Sequence, residues 1–196
     1  KLFAPALSAV VTLALIRLIL GTRFGRLIQD IPNHRSMHLS PIPRSGGIAV
    51  MLGIFAGWKL VGGECNPALC VSLLTLIIVS LVDDLRGLSA KLRLLVQVAV
   101  ASFFVIHLSP ILSLLMMLIL VVAIVWMTNL YNFIDGIDGL MGSMTTFGFG
   151  TYAVAAIIYG ETDFVLVNAV VAAAACAFLI FNLHPAKIFM GDVGSI

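Results

Sequence analysis

The sequence predicts an all-α fold, a polytopic transmembrane helical bundle with about seven spans, and three observations carry that expectation. The chain is 61% hydrophobic and 10% charged, against roughly 45–50% apolar and 25% charged in a soluble domain. Its mean hydropathy is +1.16. Apolar runs close to the ~20 residues that cross a bilayer recur from end to end, joined by brief polar connections. Short connections predict one integral membrane domain over residues 1–196. The net charge of +2 separates no class of partner.

In chain order, the first span is Leu2–Leu20, whose Arg17 is a snorkelling or packed polar residue near a helix end. It serves as its own anchor, since no cleavable signal pattern is visible. The second is Gly47–Gly62, with Lys59 free to snorkel at its far end. Pro67–Val82 follows and runs into Asp83-Asp84. Leu92–Leu108 carries His107 at its end, and Ile111–Thr128 leads into an Asn- and Asp-rich segment. Leu140–Gly160 and Phe164–Phe181 complete the set. Several spans are near the short limit.

Basic residues fix the orientation. The segment Gly21–Gly46 carries Arg23, Arg26, Arg35 and Arg44. The next connection but one carries Arg86, Lys91 and Arg93, and the last carries Lys187. The alternate connections (Gly63–Asn66, around Pro110, and Glu161–Asp163) carry no basic residue. Cytoplasmic loops are the Lys/Arg-rich ones, so these segments are read as cytoplasmic and the N-terminus as external. Lys1 then lies outside at a helix end.

Five of the nine acidic residues are clustered on that same inner side: Asp83, Asp84, Asp135, Asp138 and Asp192. A carboxylate at membrane depth costs about 2.5–3.5 kcal/mol, so such residues are retained where they bind something. Five together predict a cation site.

Each cluster carries a chemical reading beside a plainer one. Asn129, Asn132, Asp135 and Asp138 repeat at i, i+3, which on a helix makes one stripe of oxygen ligands. Such ligands suit Mg²⁺, which takes one or two carboxylates and shares its other positions with water and phosphate. Gly136, Gly139 and Gly142 leave room for a ligand; the plainer reading is a helix cap with glycine-mediated packing. Asp83 and Asp84 diverge by ~100° on a helix, so one meets a metal while the other meets a lysine or acts as a base. Arg86, Lys91 and Arg93 suit a phosphate there, or merely anionic lipid.

Gly191-Asp-Val-Gly-Ser195, with Lys187 before it, offers a metal ligand, N–H donors and a hydroxyl to a phosphate, or is a polar turn. Arg44-Ser-Gly-Gly47 is either an anion-binding helix N-terminus or a basic flank with a cap. His34, His38 and His184 lack metal-ligand spacing and read as ordinary loop residues. Cys65, Cys70 and Cys176 form no Cys-x-x-Cys pair. Cys65 and Cys70 both fall near the outer face, and two unlinked small hydrophobes is the preferred reading. No Walker A or Gly-x-Gly-x-x-Gly segment is present.

Four segments in order carry a resemblance: Asp30-Ile-Pro-Asn-His-Arg-Ser-Met-His38 with Pro43-Arg-Ser-Gly-Gly-Ile48; Val82 to Gln97; Asn129 to Leu140; and Asn182 to Ser195. Together they resemble the bacterial polyprenyl-phosphate N-acetylhexosamine-1-phosphate transferases of glycosyltransferase family 4. The Asn-Phe-Ile-Asp-Gly-Ile-Asp-Gly form and the Pro-Asn-His-Arg-Ser-Met-His loop look more like the O-antigen initiating branch than the peptidoglycan branch. The resemblance implies that undecaprenyl phosphate attacks the β-phosphate of a UDP-N-acetylhexosamine and releases UMP. It implies Mg²⁺ as cofactor, with Mn²⁺ the alternative, and an active site on the cytoplasmic face of the bacterial inner membrane. Partners are then membrane lipid and the two substrates, with no nucleic acid; a homodimer is compatible.

Carried over by position, Asp192 and Asn132 match metal-holding residues, and Arg93 matches a basic position facing the diphosphate. Lys91, Arg44 and Lys187 join it as phosphate-binding candidates. Asp83, Asp84, Asp135 and Asp138 are the catalytic candidates, with Asp83 deprotonating or positioning the lipid phosphate. Asp138, Gly136 and Phe189 are expected beside the uridine. The family has about ten or eleven spans and a later histidine-rich loop, so the expectation is a C-terminally truncated chain. Two competing readings are an intramembrane aromatic prenyltransferase, through Asp135-x-x-Asp138, and a cation transporter. Acids clustered at inner ends disfavour transport, and prenyl transfer leaves Arg44–Gly47 and Gly191–Ser195 without a role.

Overall fold

The computed structural model describes residues 1–32, 40–62, 66–108 and 111–196, without the Arg26 side chain. His34, Arg35 and His38, along with Cys65 and Pro110, lie outside the described residues. Seven long helices follow one another: α1 (Ala4–Gly21), α2 (Gly46–Val61), α3 (Pro67–Arg86), α4 (Ala90–Leu108), α5 (Leu114–Ile134), α6 (Leu140–Tyr159) and α7 (Thr162–Asn182). A single turn, α8 (Asp192–Ser195), closes the chain. The helices correspond in order to the seven expected spans.

Local chemistry sets several boundaries. Asn66 caps α3 by accepting the N–H of Ala68 at 2.9 Å, and Pro67 occupies the first helical position, where a missing N–H costs nothing. Ser113 caps α5 through the Met116 N–H at 3.4 Å. Gly62 and Gly160 end α2 and α6 in the left-handed conformation.

Among the described residues, six helices are long and apolar enough to cross a membrane. The exception is α2, whose 16 residues span about 24 Å at 1.5 Å each, short of a ~30 Å hydrocarbon core. The chain is thus a multi-pass membrane protein. Two further features depart from the sequence expectation. Gln29–Asp30 (β1) and Ile42–Pro43 (β2) form a small antiparallel pair in the connection between α1 and α2. Cys70 is disulfide-bonded, which overturns the unlinked reading for that residue; among the described residues Cys176 is free.

The core lies among α1, α2, α6 and α7, where Ile16, Ala49, Val170, Ala174 and Phe178 are fully enclosed. Small residues permit the close crossings that packing in lipid requires. Helices α3, α4 and α5 form a second group, packed in sequence. The spanning window of α5 has no buried residue, and Trp126 and Phe133 project outward, as lipid-facing side chains do. The turn α8 touches α2, α3 and α5. It therefore joins both groups at the end of the bundle where α3, α5 and α7 finish and α2, α4 and α6 begin.

Candidate active site at one end of the bundle

The segment from Phe189 to Ser195 is held by backbone bonds from three directions. Asp135 accepts the N–H groups of Met190 (3.1 Å) and Gly191 (2.9 Å). Asp84 accepts those of Asp192 (3.2 Å) and Val193 (3.3 Å). The first N–H groups of α2, at Gly46 and Gly47, donate to the carbonyls of Phe189 (3.0 Å) and Met190 (2.7 Å). Gly191 has φ of +72°, and a Cβ there would collide with the Arg44 carbonyl. Gly47 and Gly194 meet backbone to backbone, so neither has space for a side chain. Asn182, 1% exposed, accepts the Gly139 N–H and donates to the Ile188 carbonyl, both at 3.0 Å.

That scaffold presents Asp192 to a compact charged group. One guanidinium nitrogen of Arg93 lies 3.0 Å from Asp83 Oδ2 and 3.4 Å from Asp192 Oδ2, while Arg44 reaches Asp192 Oδ1 at 3.4 Å. Asp83 also accepts the Leu88 N–H, and its carboxyl is in hydrogen-bonding contact with that of Asp192. Both carboxyls are buried and both arginines half-buried. Burial raises the Asp192 pKa to about 7, reinforced by the Asp83 contact and the Asp84 charge and opposed by Arg44. Asp135 rises to about 6, again chiefly by burial, against the Gly191 and Met190 N–H groups and Arg44.

The expected stripe along Asn129, Asn132, Asp135 and Asp138 is interrupted. Helix α5 stops at Ile134, so the two aspartates lie in the following turn and face the 184–191 segment. Asp138 accepts the Ala186 N–H at 3.0 Å and pairs with His184 Nδ1 at 2.8 Å. Asn129 donates to Gln97 (2.6 Å) and to the Val125 carbonyl (2.8 Å). Asn132 makes no side-chain hydrogen bond among the described residues and is partly exposed. Lys91 and Lys187 are exposed without ion pairs among those residues.

Two readings of single segments are corrected. The Arg44–Gly47 helix start is not an open anion site, because Gly46 and Gly47 already bond carbonyls. The N–H groups of Gly191, Asp192 and Val193 are likewise occupied, by carboxylates rather than a phosphate. The Phe189 ring is enclosed with Ile42 and Ala186, whereas Gly136 stands in open space; Asp138 bonds the Ala186 N–H, beside that ring. Sequence alone assigns no role to Asn182 or Gln97, although each is a polar amide interrupting an apolar run.

Among the described residues no three His, Cys, Asp or Glu side chains converge as a closed metal cage. The abutting Asp83 and Asp192 carboxyls fit a different demand. A pair of hard oxygen ligands with free surrounding positions is what Mg²⁺ uses when it shares its shell with water and phosphate. Burial, reinforced by the neighbouring Asp83 and Asp84 carboxyls, raises the Asp192 pKa, and a bound cation would oppose that shift.

Comparison with known proteins finds a family and relatives for the chain. Residues 66–196 match the model of glycosyl transferase family 4. A probable undecaprenyl-phosphate N-acetylglucosaminyl 1-phosphate transferase of Bacillus subtilis is 34% identical over 85% of this chain and 51% of its own length. A phospho-N-acetylmuramoyl-pentapeptide-transferase of Shouchella clausii is 29% identical over 89% of this chain and 63% of its own. One of the same description from Staphylococcus aureus is 27% identical over 97% and 70%. The chain thus spans about half to seven-tenths of the length of these relatives.

Proposed function

Since the chain belongs to glycosyl transferase family 4, we propose that it transfers an N-acetylhexosamine-1-phosphate from a UDP-sugar to undecaprenyl phosphate. In this reading an oxygen of the lipid phosphate bonds to the β-phosphorus of the sugar nucleotide. The bond from that phosphorus to the bridging oxygen breaks, and UMP leaves with the electron pair. The product is undecaprenyl-diphospho-sugar, the starting point of O-antigen or a related surface polysaccharide, made at the cytoplasmic face of a bacterial inner membrane.

The observation that carries the reading is the Asp83–Arg93–Asp192–Arg44 group at a membrane edge. Arg93 and Arg44 are fixed by carboxylates, and their remaining N–H donors suit phosphoryl oxygens. Exposed Lys91 and Lys187 draw the diphosphate toward them. Asp192, with Asn132 and the adjoining Asp83, would hold Mg²⁺ or Mn²⁺. The bound ion supplies the charge neutralisation that lets one phosphate approach another. Asp83 positions the lipid phosphate and takes any proton it still carries. Asp84 and Asp135 act by fixing the backbone that aims Asp192. Asp138, Gly136 and the segment around Phe189 receive the uridine.

The test supplies undecaprenyl phosphate, Mg²⁺ and a panel of UDP-N-acetylhexosamines to purified protein and follows UMP together with lipid-linked sugar. UMP that appears only with lipid phosphate and metal supports the reading, and the productive donor names the sugar. Folded protein that releases no UMP with any donor defeats it.

A further inference from the structure

Helices α1 and α2 touch closely at one end and part at the other. A Cβ on Gly53 would collide with the Thr12 hydroxyl, and one on Gly57 would sit 3.1 Å from the Ala4 carbonyl oxygen. Toward the charged end, Leu15, Leu18 and Ile19 face Ile48, Ala49 and Leu52 across a cavity of about 310 Å³. Leu18 and Leu52 are exposed, so the slot opens on the apolar exterior. Beyond the end of α1 the wall continues to Thr22. There it meets a second cavity, of about 440 Å³, that contains Arg23 and Gln29.

We propose that this slot and its polar mouth bind an anionic phospholipid, with an acyl chain between α1 and α2 and its phosphate at Arg23. An apolar wedge open to the bilayer gains dispersion contacts when a chain fills it. At its mouth stand a guanidinium, a hydroxyl and an amide. The Arg23 side chain is exposed and makes no ion pair or hydrogen bond among the described residues, so its donors face outward for an acceptor such as a phosphodiester. Arg23 also lies in the connection that holds Arg26, Arg35 and Arg44, and basic pockets between spans on the cytoplasmic side take anionic head groups. The occupant differs from the polyprenyl substrate. No residue lining either cavity belongs to the Asp83–Arg93–Asp192 group, where a reacting phosphate has to arrive.

The test embeds the purified protein in nanodiscs of equimolar phosphatidylethanolamine and phosphatidylglycerol and identifies retained lipid by native mass spectrometry. Wild type is expected to retain phosphatidylglycerol preferentially. Arg23→Ala should lower that preference about fivefold, the weight of one basic residue near an anionic head group, while Arg23→Lys keeps most of it. Leu52→Trp, which fills the slot, should release the lipid. Equal retention of the two lipids by wild type overturns the proposal. So does an Arg23→Ala loss no larger than that of Arg86→Ala, a basic residue at the same membrane edge but outside both cavities. Displacement of the retained lipid by undecaprenyl phosphate would make the slot a substrate site and equally overturn it.

Discussion

The Asp84 carboxylate accepts the backbone N–H of Asp192 at 3.2 Å, across 108 positions of sequence. Adjacent Asp83 does the opposite kind of work, facing Arg93 and the Asp192 side chain. Neighbouring helical residues diverge by ~100°, so one dipeptide at the end of α3 both aims the Asp192 backbone and meets its carboxyl.

Asp84→Ala should therefore lower turnover by about 10–100-fold, the usual effect of removing a group that orients a metal ligand. The Mg²⁺ concentration giving half-maximal rate should rise in parallel, and membrane insertion should be unaffected. A metal titration of UMP release reads both quantities. Unchanged metal dependence would show that Asp84 does not position Asp192.

Arg93 holds Asp83 and Asp192 together through one nitrogen. Arg93→Ala leaves two abutting carboxyls without their shared cation, and turnover is expected to drop about 100-fold, the scale of losing one fixed electrostatic donor. Arg93→Lys keeps the charge but not the fork, so it should recover a substantial part of that loss. Equal activities for the alanine and lysine variants would dismiss the charge as the operative property.

Acid sensitivity should run against the common pattern. Asp135 and Asp192 have pKa values of about 6 and about 7 in the fold, above the ordinary 3.8. The unfolded chain releases those protons near pH ~4, whereas the native state keeps them longer. Between these limits the native state binds more protons, so stability falls as pH rises from ~4 to ~7. The thermal midpoint in detergent with chelator should decrease across this window, and added Mg²⁺ should restore it at the upper end. A midpoint that climbs steadily through the same window contradicts the assignment.

The spans were legible because a bilayer imposes length and composition directly on the sequence, and α1 to α7 follow the apolar runs. The gathering of Asp83, Arg93, Asp135 and Asp192 was legible for a related reason: basic residues reveal which connections share a side. What Asp135 and Asp138 bond was not. Their i, i+3 spacing fits a helix, but α5 ends at Ile134, and their partners are N–H groups 55 and 48 positions away. Nothing local marks such a pairing. Asn182 was hidden in the same way, since its role exists only once Gly139 and Ile188 are brought to it. Arg44–Gly47 misled because an N-terminus looks open until the carbonyls that fill it are known.

The Gly47–Gly194 contact gives the most direct test of the scaffold. A methyl group at Gly47 would overlap the Gly194 backbone, and backbone has no rotamer by which to withdraw. Gly47→Ala should therefore push the 190–195 turn away from α2. Overpacking of this kind costs about 1–3 kcal/mol and should depress both the thermal midpoint and UMP release. Gly148 lies within α6 with no heavy atom near its missing Cβ. There Ala should stabilise the helix by about 0.5–1 kcal/mol and leave activity unchanged. If the two substitutions behave alike, the turn is not seated on α2 as the geometry requires; if only Gly47→Ala suffers, the backbone contact is what sets the position of Asp192.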